Sequence, residues 1–251
     1  ERLAADGRHV VIAEIDPALG NAAAAGIVAG GGAASFVQTD IADAASLAAL
    51  AAAASALGRI DALVNNAAIA NSIGGKTYDE IEQTEWERVL RVNVTGTWLA
   101  CKHLAPYIAA GGGGAIVNVA SDTALWGATR LLHYVASKGA LLAMTRSLAR
   151  ELGPQRVTVN AVGPSGLTRI TATIPGAGEA FEPDEVADDD FHPMDPKNSS
   201  PLVAWLASDQ ARSVTGQVLR SIHDRIVWMQ GWTERTIIAS GGTAWSADTL
   251  G

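Results

Sequence analysis

Short apolar runs alternate with alanine-rich helical stretches along almost the whole chain, and this alternation constrains the fold more than any other feature. Residues 9–15, 34–39, 62–65, 115–120 and 157–162 read as buried strands, each a short apolar run bounded by turn residues. Between them, residues 17–29 open on Pro17, which suits a first helical turn, and residues 44–57 form an alanine-rich helix. Thr84 and Glu87 have the spacing of a capping box. They predict a long helix through Asn93 toward Ala110, with Pro106 marking a kink or an early end. A later helix runs to about Leu152, Ser200-Pro201 opens one over 202–208, and 218–220 reads as a closing strand. Strands that alternate with helices pair in parallel and are covered on both faces. The expectation is therefore an α/β, doubly wound parallel sheet in three layers, one domain over residues 1–251. In such sheets ligands bind beyond the carboxyl ends of the strands. Glu14, Asp40, Asn66, Ser121 and Pro164 all fall at such ends.

At 251 residues the chain is long enough to bury a sizeable core. A formal charge of −8 argues against a nucleic-acid partner. No apolar run reaches the length of a membrane span. The single cysteine, Cys101, excludes an internal disulfide, fits a reducing cytoplasm, and reads as packing on a helix. No His, Cys and Asp cluster has metal-site spacing, so no metal is expected. Residues 165–198 are rich in Gly, Pro and acidic residues and read as a substrate-side loop. Asp184, Glu185, Asp188, Asp189 and Asp190 are its solvated acids. His103 and His133 read as surface or packing residues, and residues 233–251 as a C-terminal extension.

Tyr134 and Lys138 carry the chemistry. Four residues is about one helical turn, so phenol and ammonium share a face. A free tyrosine titrates near roughly 10 and is a poor base at neutral pH, but a nearby cation favours its phenolate. Ser121, at a strand end, is placed to hold a substrate oxygen while Tyr134 exchanges its proton. That suits interconversion of an alcohol and a ketone beside a hydride carrier.

Dinucleotide-binding domains place an acid about 20 positions after their glycine-rich loop. Glu14 is the best such acid, which puts the loop ahead of residue 1. The glycine runs at 30–32 and 111–114 each precede a strand, whereas a phosphate loop follows one, so they read as helix-to-strand turns. The chain is thus expected to lack a first strand and glycine-rich loop.

Taken together, Asn65-Asn66-Ala67-Ala68, Asn93, Ser121, Tyr134 and Lys138 resemble the short-chain dehydrogenase/reductase family over about residues 1–220. The resemblance implies a Rossmann-type fold and an oxidoreductase acting on a small alcohol or ketone. It assigns catalytic roles to Asn93, Ser121, Tyr134 and Lys138, with Asn93 supporting a proton-relay water and Lys138 tuning the phenol and binding the nicotinamide ribose. It gives Glu14 the adenosine ribose, with Asp16 a nearby rival, and a carboxylate there favours NAD over NADP. Asp40 and Ile41 meet the adenine. Asn66, Ala67 and Ala68 line the cofactor, with Ala68 where the family has Gly. Pro164 and Thr168 flank the nicotinamide, with Ser165 where Gly is usual. Leu125, Trp126 and the 165–198 loop shape the substrate pocket. The family implies a homo-oligomer, tetramer or dimer. The C-terminal part is loosely similar to the branch of hydroxyacyl-thioester dehydrogenases and 3-oxoacyl reductases. Other readings open at this point are a sugar-nucleotide epimerase or dehydratase, a nucleotide-binding scaffold, and an inactive fragment.

Overall fold

The computed structural model describes residues 1–70, 73–166 and 191–234. Strands β1 (His9–Glu14) and β2 (Ala33–Gln38) form one parallel pair, joined by helix α2 (Pro17–Ala29). Helix α1 (Arg2–Ala5) precedes them. After α3 (Ala44–Ala56), strand β3 (Ala62–Asn65) begins a second sheet. This continues through β4 (Gly114–Val119), β5 (Val157–Pro164) and β6 (Val218–Ile222), all in parallel. The intervening helices are α4 (Gln83–Leu90), α5 (Thr97–Ala110), α6 (Thr123–Trp126), α7 (Leu132–Leu152) and α8 (Ser200–Leu206). Among the described residues, no helix is long and apolar enough to cross a membrane.

The core follows from this layering. Ile116, Val117, Val159 and Val162 on the central strands are essentially fully buried. On one side they meet Ile108 of α5 and Ala149 of α7, on the other Leu206 of α8. Leu47 and Leu50 of α3 pack against Leu104 of α5 and the apolar side chains of β1 and β3. The sheet is not continuous. β1 and β3 make no ladder with each other, and each turns an edge toward a slot of about 640 Å³ lined by Val11, Ala13, Leu47, Leu63, Ala100 and Leu104. An ion pair, Arg8 to Asp61 at 3.3 Å, closes the end where both strands begin.

The glycine runs are turns, as their placement before strands predicts. Gly31 takes φ +84°, and a side chain at Gly113 (φ +104°) would strike the Arg156 carbonyl at 2.3 Å. Three local expectations need correction. The capping box at Thr84 does not form: α4 begins one residue earlier, and Glu87 accepts from Gln83 Nε2 at 2.6 Å instead of turning back to the cap. Pro106 does not end α5, which runs to Ala110; the Lys102 carbonyl left without its helical donor lies on the exposed side. The closing strand is longer than expected and returns as β7 (Arg225–Met229), antiparallel to β6. Its turn puts His223 at φ +53° with no Gly or Asn there to announce a hairpin.

Candidate active site

The residues expected to handle the proton converge at the carboxyl end of β4. Ser121 lies two residues beyond the end of that strand, and Tyr134 enters from the first turn of α7. The Ser121 hydroxyl accepts from Thr123 Oγ1 at 3.0 Å and from the Thr123 amide at 3.3 Å. Burial raises the Tyr134 phenol above its ordinary value, and a hydrogen bond with Ser121 pulls it partly back. Lys138 lies one turn further, only 3% exposed, with Nζ 5.7 Å from the Tyr134 ring centre. Nζ donates to the Val119 carbonyl at 2.7 Å, and burial lowers the ammonium to about 8. Burial is the largest influence on the Tyr134 phenol here, and the Lys138 ammonium is turned to a strand-end carbonyl.

Asn93 owes its place to an irregularity that sequence pattern does not reveal. Residues Arg91–Gly96 form a π-turn between α4 and α5, a feature often found at functional sites. The Asn93 side chain is fully used. Its Oδ1 accepts the Ile69 amide at 2.7 Å, and Nδ2 donates to the Ile69 carbonyl and to Ser137 Oγ, both at 3.0 Å. Ser137 Oγ in turn donates to the Tyr134 carbonyl at 2.7 Å. Asn93 thus ties the segment after β3 to the helix turn that carries Tyr134.

The residues expected to hold a dinucleotide lie along the same rim. Glu14 ends β1; its Oε1, rather than Oε2, accepts the amides of Ile15 (2.8 Å) and Asp16 (3.1 Å). Asp16 is occupied as the N-cap of α2, accepting from Ala18 and Leu19. Asp40 Oδ1 accepts the Ala42 amide at 2.8 Å, and Ile41 packs so closely on Gly96 that a methyl there would meet it at 2.9 Å. Asn66 and Ala67 are exposed just beyond β3, with Ala68 half-buried after them. Pro164 ends β5, and the following Ser165 amide is held by the Ser221 carbonyl at 2.8 Å. Thr168, the five loop acids and most of the 165–198 loop lie outside the described residues, as do residues 235–251. Among the described residues, no His, Cys, Asp and Glu group is placed to hold a metal.

Sequence reading missed two pairings. Arg220 on β6 grips Asp122, the neighbour of Ser121, with Nε at 2.8 Å and Nη2 at 2.5 Å, and lies 5.9 Å from the Trp126 ring centre. The intervening β5 residue is Gly163, whose missing side chain lets the two meet: a methyl there would stand 2.9 Å from Asp122 Oδ1. Second, His133 is fully buried, with Nε2 3.0 Å from Glu85. Neither partner shows a local signal, since 98 and 48 positions separate the members. Cys101 is packing, as expected: it is buried, accepts from Asn65 Nδ2 at 3.4 Å, and burial raises its thiol to about 11.

Comparison with known proteins gives this rim a family. The family model described as enoyl-(acyl carrier protein) reductase matches residues 1–221. A 3-alpha-(or 20-beta)-hydroxysteroid dehydrogenase of Mycobacterium tuberculosis is 35% identical over 222 residues, covering 85% of this chain and 78% of that one. A short chain dehydrogenase from Mycobacterium avium, 31% identical, superposes with a TM-score of 0.84 over 100% of this chain and 86% of its own. Carveol dehydrogenase from Mycobacterium avium, in complex with NAD, is 28% identical with a TM-score of 0.75, covering 87% of this chain and 88% of its own. The chain belongs to the short-chain dehydrogenase/reductase family.

Proposed function

We propose that this protein transfers hydride between NAD(H) and a secondary alcohol or its ketone. The observation that carries the reading is the convergence of Ser121, Tyr134 and Lys138 at the end of β4, where Ser121 acts on Tyr134 to lower its phenol against burial and the Lys138 ammonium lies 5.7 Å from the Tyr134 ring centre. The residues present fit the two ends of the cofactor. The open oxygen of Glu14 suits a ribose diol, and the exposed backbone of Asn66 and Ala67 suits the dinucleotide's length. Lys138 and Pro164, at the end of the site nearer Tyr134, would hold the nicotinamide end. The N-termini of α2 and α3 are already capped by the carboxylates of Asp16 and Asp43, so neither suits the pyrophosphate. Bound nicotinamide supplies the hydride acceptor or donor. The chain's own residues handle the proton. Ser121 holds the substrate oxygen, and Tyr134 gives or takes the hydroxyl proton. Lys138 stabilises the phenolate whenever its ammonium is charged. Asn93 holds the tyrosine turn through Ser137.

A rigid apolar ring alcohol is the substrate class we favour. The names of two relatives, a hydroxysteroid dehydrogenase and a carveol dehydrogenase, support it. So do the exposed Trp126 and Leu132 flanking Ser121 and Tyr134 in sequence. A hydroxyacyl thioester is the second reading, favoured by the acyl-carrier description of the matching family model. The test is NADH oxidation with cyclic monoterpene ketones, steroid ketones and acetoacetyl thioesters side by side. Turnover of the ring ketones supports the first reading, and thioester turnover alone the second. Binding of NADH with no carbonyl reduced across the panel would count against both.

A further inference from the structure

A second buried polar chain reaches the turn that carries Tyr134. His133 precedes Tyr134 and has no solvent exposure. Its Nε2 lies 3.0 Å from Glu85 Oε1, and a carboxylate only accepts, so Nε2 carries the hydrogen and donates. The other oxygen of Glu85 receives Lys76 Nζ. The hydrogen bond from Lys76, and after it that from His133, hold the Glu85 carboxyl below the usual range against the desolvation that raises it. His133 Nδ1 is buried with no partner among the described residues, so the ring is oriented through Nε2 alone.

Helix α7 needs such a fastening. Its N-cap is Leu131, which offers no capping side chain. The approach to the helix is held from the same direction: Arg130 Nε donates to the Gly75 carbonyl at 2.7 Å, and the Gly75 amide donates to the Arg130 carbonyl at 3.0 Å. Lys76 is the next residue. The segment around Gly75 is therefore bonded both to the residue two before the helix and, through Glu85, to the first turn. Tyr134 stands between two anchors, His133–Glu85 on its amino side and Ser137–Asn93 on its carboxyl side.

We propose that His133 is a positioning residue for Tyr134: its Nε2–H bond to Glu85, backed by Lys76, fixes the first turn of α7 and so the place of the phenol against Ser121. The proposal rests on the reading of Tyr134 as the proton-transfer group. A leucine is close in bulk but cannot bond Glu85, whereas a glutamine can reach it with an N–H. If His133 served packing alone, leucine would be the better substitute.

The experiment follows the ring carbon of 13C-labelled tyrosine through roughly pH 9 to 12 in the full chain, His133→Leu and His133→Gln. Tyr134→Phe assigns the signal among the three tyrosines. The expected result is a displaced Tyr134 midpoint in H133L, by about half a pH unit or a threefold change in acid constant, and an unmoved one in H133Q. An unmoved midpoint in both, or equal displacement in both, overturns the proposal. Should H133L not fold, Glu85→Ala, which removes the acceptor, takes its place: a displaced midpoint sustains the tether and an unmoved one overturns it. Turnover measured on Tyr134→Phe judges the proton-transfer reading separately, because the titration needs no substrate.

Discussion

Lys138 is held against its own solvation, and that has a measurable signature. Burial lowers its ammonium from the usual 10.5 to about 8. Each tenfold change in an acid constant is about 1.4 kcal/mol, so the folded state carries a penalty of about 3 kcal/mol where the group is charged in both states. The sign follows from the lowered value. Below about 8 the group is charged in both states and the penalty is complete. As pH rises from about 8 toward 10.5 the folded amine is already neutral while the unfolded one still loses its proton, and the penalty fades. Near pH 9.5 less than about half remains. Lys138→Met removes the titration altogether. It also leaves the Val119 carbonyl without its donor, at a cost of roughly 1–3 kcal/mol that barely depends on pH, since a neutral amine donates as well. The change of the gap with pH is therefore the test, not its sign at one pH. Urea unfolding of both proteins at pH 7 and about 9.5 should show Lys138→Met losing about 2 kcal/mol of stability relative to the parent between the two. A gap that stayed constant would mean that Lys138 is not desolvated as its burial implies.

Three further expectations concern single residues. Glu14→Gln should narrow the preference for NADH over NADPH by about tenfold, read by calorimetric titration with each, because the charge that repels a ribose phosphate is gone. Asn118 is fully buried and accepts from Asn65 Nδ2 while donating to Thr145 Oγ1, both at 2.9 Å; Asn118→Ala should cost about 3 kcal/mol in urea unfolding. The Cys101 thiol, buried and raised to about 11, should resist a disulfide reagent in the native protein at pH 8 and react at once in denaturant.

The order of strands and helices along the chain and the strand-end residues were legible because they depend on local pattern. An apolar run that ends in a polar residue marks β1 with Glu14, β3 with Asn66 and β4 with Ser121 wherever the chain later goes. What the sequence hid is what depends on distant approach. The Asp122–Arg220 pair exists because Gly163 on β5 leaves room between the strands, and the His133–Glu85 pair because α4 packs beside α7. Periodicity reports neither. The π-turn at Asn93 was hidden for a different reason: one extra residue per turn leaves the apolar spacing on both sides nearly intact. The tyrosine–lysine pair was read correctly as neighbours on one helix face. The depth at which both are buried was not legible, because burial is a property of the folded layers.

The central claim is that Tyr134 moves the proton during hydride transfer. It is tested most directly by comparing the parent chain with Tyr134→Phe for NADH binding and for reduction of a ketone that the parent accepts. The account predicts NADH affinity within about twofold of the parent and turnover lowered by at least 10²–10⁴. Turnover within a few-fold of the parent, with NADH still bound, would contradict it.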